Sequence, residues 1–472
     1  MNARVVTMDG GAKVIAEDQL VALQTALRGE LLRPESKGYD EARTLWNAMI
    51  DRKPALIARC AGAADVMRAV RFAADHELLL AVRGAGHNIA GKGCCDGGFL
   101  IDLSGMRAVH VDPKNKTAYV EPGATLGDLD DETQVYGLAT PVGINSTTGI
   151  AGLTLGGGFG WLSRKHGLTI DNLRSAKVVT AKGEMLTASE DENADLFWGI
   201  RGGGGNFGVV TSFEFDLHEV GPEVLSGLIV HPYADAPEVV RAYREFASDL
   251  PRDLNVWLVM RKAPPLPFLP EEVHGKEVVI LAAFYAGDMK EGERLLQPLR
   301  KIGNPIADVI GPHPFTGWQA AFDPLLTPGA RNYWKSHNFT ELSDGLVDTA
   351  LDYLGRLPSD QTEIFFGRLG GAVNEVAPEA TAYPHRDAEY VMNVHARWED
   401  TSDDSKCIKW SRDYFEATAP YATGGVYVNF VPEGEAPIEA AYGPNYDRLL
   451  ALKRKYDPSN LFRLNQNIAP RG

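Results

Sequence analysis

The chain has 472 residues, of which 44% are hydrophobic and 23% charged, a composition typical of globular proteins and a length that favours two or three domains. Its formal net charge of −16 and isoelectric point near 5.2 disfavour nucleic acid and anionic membrane surfaces as partners, because the long-range field repels both. The N-terminus has no apolar signal-like core and no apolar run reaches the length of a bilayer span, so we expect a cytoplasmic protein.

The four cysteines indicate neither a disulfide framework nor a metal site. They are few for so long a chain, and their spacing is not that of zinc ligands. The adjacent Cys94 and Cys95 cannot easily bridge each other, so we interpret them as small buried residues beside a turn. No metal is expected.

The first third of the chain alternates short strands with one helix. Strands are predicted over residues 54–59 and 78–82, with an amphipathic helix from Ala64 to His76 between them. A buried strand over 99–103 follows, and then a hairpin whose turn lies at 112–115. This part of the chain predicts a β-α-β unit that ends in a glycine-rich turn.

His87 lies in that turn, which reads Arg-Gly-Ala-Gly-His-Asn over residues 83–88. Gly84 and Gly86 accept positive φ angles and let backbone N–H groups point at an anion. A neutral imidazole is nucleophilic near pH 7. The turn therefore suits a phosphate-containing redox cofactor with a covalent link, although an isolated motif of this kind is more often an ordinary surface turn.

Two more glycine clusters follow, at residues 142–160 and 201–208. Large apolar residues flank both clusters, which argues against flexible linkers. Dense glycine exposes the backbone, and a protein tolerates this mainly where another molecule approaches the main chain closely. The clusters therefore predict loops that are anchored in a core and open to a ligand.

From about residue 221 the sequence changes to longer strands and amphipathic helices. This pattern of strands and helices predicts an antiparallel sheet with helices on one side. It also predicts a pocket between this region and the glycine-rich one. The predicted strands cover residues 256–260, 278–285, 363–368, 390–396 and 425–430, and the predicted helices cover residues 237–250, 290–302 and 405–417.

Four ordered stretches, at residues 83–88, 149–160, 195–211 and 442–468, resemble the berberine-bridge-enzyme-like oxidases of the vanillyl-alcohol-oxidase superfamily. The resemblance implies an α+β fold with a two-part FAD-binding domain of the PCMH type and a substrate domain. We expect the FAD domain over residues 1–220, the substrate domain over 221–434 and a C-terminal segment over 435–472 that returns to the FAD domain. It further implies hydride transfer from a small alcohol, sugar or amine to FAD, with O₂ as acceptor and H₂O₂ as product.

By the same resemblance, His87 would carry the 8α-methyl carbon of the flavin in a covalent bond. Many relatives add a second bond from a cysteine, but the matching position here is Asn145, whose amide cannot do thiolate chemistry. We therefore expect His87 to be the single tether, and a substrate smaller than an oligosaccharide. Leu153 stands where many relatives have a histidine near the flavin.

The other expected FAD contacts follow the glycine clusters. Amides of residues 84–88 would cradle the pyrophosphate, loop 149–158 would lie along the ring system, and segment 205–210 would hold the adenine side. Asn465 and Asn467 would bind the ring edge. The full set is Arg83, Gly84, Ala85, Gly86, His87, Asn88, Asn145, Thr148, Gly149, Gly152, Gly156, Gly157, Gly158, Gly205, Asn206, Gly208, Val209, Val210, Asn465 and Asn467.

Hydride transfer requires a base that removes the substrate proton. Tyr427, with Asn429 on the same face of the predicted strand 425–430, is our candidate; a buried core tyrosine is the competing interpretation. A phenol acting as a base needs a lowered pKa, so a cationic neighbour is expected from Arg368, His395 or Arg386. The candidate pocket walls are Phe366, Arg368, Met392, Asn393 and His395.

Alternative functions remain open at this stage. The same fold also serves dehydrogenases that use an acceptor other than O₂, and flavin-binding proteins without turnover. A nicotinamide-dependent reductase is disfavoured, because the glycines at 84, 86 and 91 do not have the spacing of the dinucleotide-binding motif.

Overall fold

The structure, a computed structural model, describes residues 1–432, 434 and 438–470. The expected boundary after residue 434 falls at this gap, and residue 435 lies outside the described residues. Among the helices of the described ranges, none is both long enough and apolar enough to cross a bilayer. All four cysteines are buried and free.

The strand that leads to His87 belongs to a four-stranded sheet near the N-terminus. Strands β4, β6 and β5 run parallel and β3 is antiparallel to β4. The predicted β-α-β unit is confirmed as β4, α3 and β5. Elements of this part are β1 (Ala3–Val6), β2 (Ala12–Ile15), α1 (Glu17–Ala26), β3 (Glu30–Leu32), α2 (Tyr39–Arg43), β4 (Leu56–Arg59), α3 (Ala63–Asp75), β5 (Leu80–Arg83) and β6 (Phe99–Asp102).

A five-stranded antiparallel sheet holds the other glycine loops. Its order is β11-β10-β12-β8-β7, and the predicted hairpin is confirmed as β7 and β8. Elements here are β7 (Val109–Asp112), β8 (Thr117–Val120), α4 (Leu126–Gln134), β9 (Leu138–Ala139), α5 (Ile150–Leu155), α6 (Ser163–His166), β10 (Leu173–Val179), β11 (Met185–Ser189), α7 (Ala194–Ile200), β12 (Val209–Asp216) and β13 (His218–Glu219).

The predicted antiparallel sheet with helices on one side is confirmed as an eight-stranded sheet, in which β18 pairs beside β17 on β14. Even-numbered residues of β15, β20 and β21, such as Ile364 and Val394, and odd-numbered residues of β16, such as Leu281, pack into the core with the helices. In spatial order the strands are β17 (Ala307–Asp308), β14 (Glu223–Pro232), β16 (Glu277–Tyr285), β15 (Leu254–Lys262), β20 (Glu363–Arg368), β21 (Tyr390–Trp398) and β19 (Arg331–Phe339), with β18 (Gly311–Pro314).

Three helices between these strands match the predicted ones within three residues at each end: α8 (Ala236–Ala247), α9 (Met289–Arg300) and α13 (Asp404–Thr418). The other three, α10 (Phe315–Gln319), α11 (Asp344–Leu354) and α12 (Ala372–Glu375), were not predicted. Short 3₁₀ turns cover Thr169–Asn172, Tyr233–Asp235, Glu271–Val273, Asp323–Leu325, Thr401–Asp403, Ala419–Tyr421, Val428–Phe430 and Gly443–Asn445.

The predicted strand over residues 425–430 is wrong. The segment makes one backbone hydrogen bond to β19, from Asn338 to Gly425, and then turns into the 3₁₀ helix Val428–Phe430. Its alternating pattern has another cause: Val426 and Val428 pack into the core of the five-stranded sheet, while Tyr427 packs into a second core between the two sheets.

The C-terminal segment forms α14 (Ile438–Tyr442) and α15 (Tyr446–Tyr456) and packs against the five-stranded sheet. Lys453 lies fully buried in α15 and pairs with Asp457 at 2.8 Å. The same ammonium donates hydrogen bonds to the carbonyl oxygens of Asn206 and Phe462. One buried cation therefore joins this segment to the third glycine cluster.

We predict that Lys453→Met destabilises the protein by about 3–5 kcal/mol, because it leaves the Asp457 carboxylate buried without its cation. Urea unfolding measures the change. Lys455→Met is the matched control, since Lys455 pairs with Asp195 at the surface and an exposed pair contributes at most about 1 kcal/mol. Equal losses in the two variants would contradict the assigned role of Lys453.

Candidate active site

A cavity of about 310 Å³ lies between the glycine loops and the inner face of the eight-stranded sheet. Three walls close it: the His87 turn, the loop that begins at Gly149, and the segment from Gly205 to Val210 with Asn465. The fourth wall is the sheet itself. The three glycine clusters are distant in the sequence, and they all open on a single cavity.

The His87 turn offers free hydrogen-bond donors to this cavity. The backbone N–H groups of residues 84–88 all lack a hydrogen-bond partner among the described residues. Gly86 has a φ angle of 82°, which a residue with a side chain would rarely adopt. A row of free amides in a turn is a typical anion site, so the turn fits a pyrophosphate group.

The His87 ring is held by two neighbours. Its Nε2 lies 3.2 Å from the Thr147 hydroxyl, and its plane stacks on Trp46 with ring centroids 5.1 Å apart. Burial lowers the pKa of His87 to about 4. The imidazole is therefore neutral at pH 7, with a lone pair available on one nitrogen.

Trp46 belongs to a short segment that joins the His87 turn to the sheet. The Trp46 amide donates to the Gly86 carbonyl, and its indole donates to the Leu326 carbonyl. Next to it, the Asn47 side chain binds the backbone of both Ile89 and Asn332. The turn and the edge strand β19 are thereby tied together.

The second wall contains Asn145, Gly149 and Gly152. The Asn145 side-chain oxygen accepts hydrogen bonds from the Thr147 amide and hydroxyl. A Cβ placed on Gly152 would meet no atom within 4 Å, so this glycine leaves space in the cavity rather than serving a tight packing contact. Leu153 also lines the cavity and offers it no hydrogen bond.

Sixteen of the twenty expected FAD contacts line the cavity, and four do not. Asn206 is fully buried, where it binds the Gly203 and Gln466 carbonyl oxygens and the Ile468 amide. Gly158 packs on Thr169 and donates to Tyr427. Gly157 and Asn467 likewise lie outside the lining. Asn206 and Gly158 therefore support the loops from behind.

Tyr427 and Asn429 both line the cavity, in an environment that differs from the expected one. The phenolic oxygen accepts hydrogen bonds from the Gly158 amide at 3.0 Å and from the Asn429 side chain at 3.2 Å. Burial raises the pKa of Tyr427 to about 12, although these two hydrogen bonds lower it. Asn429 also donates to the Gly152 carbonyl, which ties the tyrosine to the glycine loop.

The expected cationic neighbour of Tyr427 is wrong for all three candidates. Arg368 pairs with Glu389, and Arg386 binds Asp171 through two hydrogen bonds. His395 binds Glu363 at 3.1 Å, and burial lowers its pKa. Each candidate is bound to an acidic partner instead of Tyr427, so the phenol faces the cavity as a neutral group.

Only two of the five expected pocket-wall residues line the cavity. Asn393 and His395 point to it, together with Glu363 and Phe365. Phe366 and Met392 belong instead to the core under the helices, and Arg368 lies over the Tyr390 ring. The reason is strand periodicity: positions two apart share a face, and the odd-numbered residues of β20 and β21 face the glycine loops.

The sheet wall carries one ion pair and many aromatic rings. Glu363 pairs with Arg261 at 2.6 Å; burial raises the pKa of Glu363, but Arg261 and His395 outweigh this and hold it at about 2. Sequence reasoning missed the aromatic residues, because they come from distant parts of the chain. On the sheet they are Trp257, Trp334 and Phe365, while Trp46, Phe159 and Phe430 line the cavity from segments outside the sheet.

Comparisons with known proteins match both the glycine-rich part of the chain and its C-terminal segment. A family model described as an FAD binding domain matches residues 54–189, and one described as berberine and berberine like matches residues 426–469. An FAD-linked oxidoreductase of Dictyostelium discoideum is 35% identical over 94% of this chain and 95% of its own length. The (R)-6-hydroxynicotine oxidase of Paenarthrobacter nicotinovorans is 32% identical over 96% and 99%. A solved chitooligosaccharide oxidase superposes with a TM-score of 0.84 at 26% identity, covering 96% of this chain and 100% of that one.

We predict that Gly152→Leu blocks the cavity without unfolding the protein, because the added side chain enters open space rather than packed atoms. The flavin content of the purified protein, read from its absorbance at about 450 nm, should fall at least about tenfold since a filled site excludes its ligand. Gly311→Leu is the control, as Gly311 also has open space but lies outside the cavity. A Gly152→Leu protein with full flavin content would refute the assigned cavity.

Proposed function

Because this chain belongs to the berberine-bridge-enzyme-like family of FAD-linked oxidases, we propose that it takes a hydride from a small alcohol, sugar or amine and passes the electrons to O₂, releasing H₂O₂. One observation carries the proposal: the His87 turn, with its free amides, opens on the same cavity as Tyr427. FAD supplies the hydride acceptor at its flavin ring when it is bound. The protein supplies the binding, the tether and the proton acceptor.

His87 is the proposed covalent tether. Its ring is neutral at pH 7, and Thr147 and Trp46 fix its orientation toward the cavity. Asn145 lies on the facing wall with its oxygen already bound by Thr147. Since an amide is not a nucleophile of the thiolate kind, we propose a single covalent link.

Tyr427 is the proposed proton acceptor, but without the cationic neighbour and the lowered pKa that the sequence analysis expected. A phenol with a pKa of about 12 is protonated at neutral pH, so it acts as a base only in the small deprotonated fraction. The two N–H groups donated to its oxygen stabilise that phenolate. Asn429 is a positioning residue, because it holds Tyr427 against the glycine loop.

O₂ is the proposed electron acceptor, and the comparisons support it through the names of the relatives. Two proteins similar to this chain along nearly its whole length are named oxidases, of 6-hydroxynicotine and of chitooligosaccharides. A dehydrogenase would instead reduce an added dye and release no peroxide. A peroxide-coupled screen of sugars, aromatic alcohols and cyclic amines, with a dye-coupled screen beside it, separates these two functions.

The domain division is also a proposal. We place the FAD domain at residues 1–220, the substrate domain at 221–434 and a returning C-terminal segment at 435–472. Strand β13 supports the first boundary, because it pairs with β9 of the glycine-rich part while the next strand, β14, enters the eight-stranded sheet. The packing of α15 against the five-stranded sheet supports the returning segment.

We predict that His87→Ala abolishes covalent attachment of FAD. In the wild-type protein the flavin should stay with the polypeptide after acid precipitation, and the peptide that contains His87 should carry the added mass. In the variant all flavin should appear in the supernatant. His110→Ala, at an exposed position of β7, should keep the link. A flavin that remains attached in His87→Ala would exclude this tether.

We predict that Tyr427→Phe lowers kcat/KM by at least about 100-fold, the usual contribution of a general base. Because the pKa of Tyr427 is about 12, wild-type kcat/KM should rise with pH between 7 and 10, and the variant should lose this slope. Tyr383→Phe is the control, since Tyr383 is buried next to Tyr427 outside the cavity lining. A wild-type profile that is flat over this range would contradict the role.

A further inference from the structure

A second, smaller cavity adjoins the first along the inner face of the sheet. It has a volume of about 50 Å³. The two cavities share five lining residues: Ile144, Trp257, Leu326, Glu363 and Phe365. A molecule in the first cavity therefore needs to pass only these side chains to enter the second.

The floor of the second cavity is a compact apolar patch of the sheet. Val259, Ile280 and Val230 are direct neighbours across strands β15, β16 and β14, and Ala282 and Leu228 are the next pair along. Residues of the segment 264–269 and the side chains of Phe322 and Leu325 cover this patch. Carbon atoms thus surround the space on nearly all sides.

The charged groups at its edge are already paired. Arg261 and Glu363 bind each other at 2.6 Å, and Glu363 also binds His395. A polar ligand group placed here would lose its water without gaining a charged partner, which is unfavourable. The space therefore selects apolar atoms.

The first cavity also offers few polar partners on its sheet side. Glu363 and His395 are bound to each other, and His395 also contacts Asn332. The Asn393 side-chain oxygen and the Trp334 and Trp257 indole nitrogens have no partner among the described residues. These atoms are buried with almost no accessible surface, so the sheet side offers a ligand few hydrogen-bond partners. They do not match the many hydroxyls of an oligosaccharide, each of which needs a partner.

We propose that the substrate carries an apolar tail that occupies the second cavity while its alcohol or amine group lies in the first. The inference rests on the proposed function for the reacting end, but the tail site stands on its own lining. At about 10–15 Å³ for each water-sized group, a volume of about 50 Å³ has room for a short chain of a few methylenes. The substrate class is thus an aryl or alkyl alcohol or amine with a short hydrophobic extension.

The test uses holoenzyme and a series of 4-n-alkylbenzamides, from the unsubstituted compound to pentyl, which carry no oxidisable alcohol or amine. Calorimetry should give an affinity that rises about fourfold for each added methylene, up to a cut-off at which the second cavity is full. The same affinity for every tail length would overturn the proposal.

Two variants should move the cut-off in opposite directions. Ala282→Leu fills the cavity and should reduce the affinity of the long-tailed compounds to that of the shortest one. Val259→Ala enlarges it and should extend the rise by at least one methylene. Leu281→Met, which changes the helix-facing side of the same strand, should leave the wild-type cut-off in place. General destabilisation would not produce opposite shifts.

The result is separable from the fate of the proposed function. If the cut-off shifts as described and no alcohol or amine yields peroxide, the tail site stands and the oxidase proposal fails. If matched 4-n-alkylbenzyl alcohols yield peroxide and tail length affects neither their kcat/KM nor the benzamide affinity, the tail site fails. An unmoved cut-off in Ala282→Leu also overturns it.

Discussion

The buried Lys453 ammonium is the interaction on which the ligand cavity depends most. The ammonium donates hydrogen bonds to the Asn206 carbonyl in the third glycine cluster and to the Phe462 carbonyl in the C-terminal segment, and it pairs with Asp457. The Asp457 carboxylate in turn accepts hydrogen bonds from the backbone amides of Leu461 and Phe462. Glycine-rich loops have few side chains with which to pack, so their position must come from backbone hydrogen bonds. The buried Lys453–Asp457 pair provides such hydrogen bonds to both segments from one position in the core.

The parts of the fold with a single exposed face were predictable from the sequence. Helix α3 and hairpin β7–β8 follow simple periodicities, and the His87 turn follows from its glycines. Segment 425–430 was not predictable, because its alternate residues are buried in two different cores. The resulting hydrophobic pattern looks like that of a β-strand. For the same reason the sequence could not decide which face of β20 and β21 is inward: Phe366 and Phe365 are equally apolar, and only the packing of the helices separates them.

The candidate site is dominated by neutral groups in a largely aromatic enclosure. Burial keeps both the His87 imidazole and the Tyr427 phenol uncharged at pH 7, and the one carboxylate of the sheet wall is balanced by Arg261. Trp46 and Trp334 could not be assigned from the sequence, since they lie nearly 300 positions apart and meet only in the folded protein. Such an enclosure favours ligands that are recognised by shape and by a few hydrogen bonds.

The segment around Trp46 has a consequence for how ligands exchange. Its hydrogen bonds join the His87 turn to Ile89, Leu326 and Asn332 at once, so a hinge that separated the two halves of the molecule on this side would have to break all of them together. Rigid-body opening is therefore the costly route.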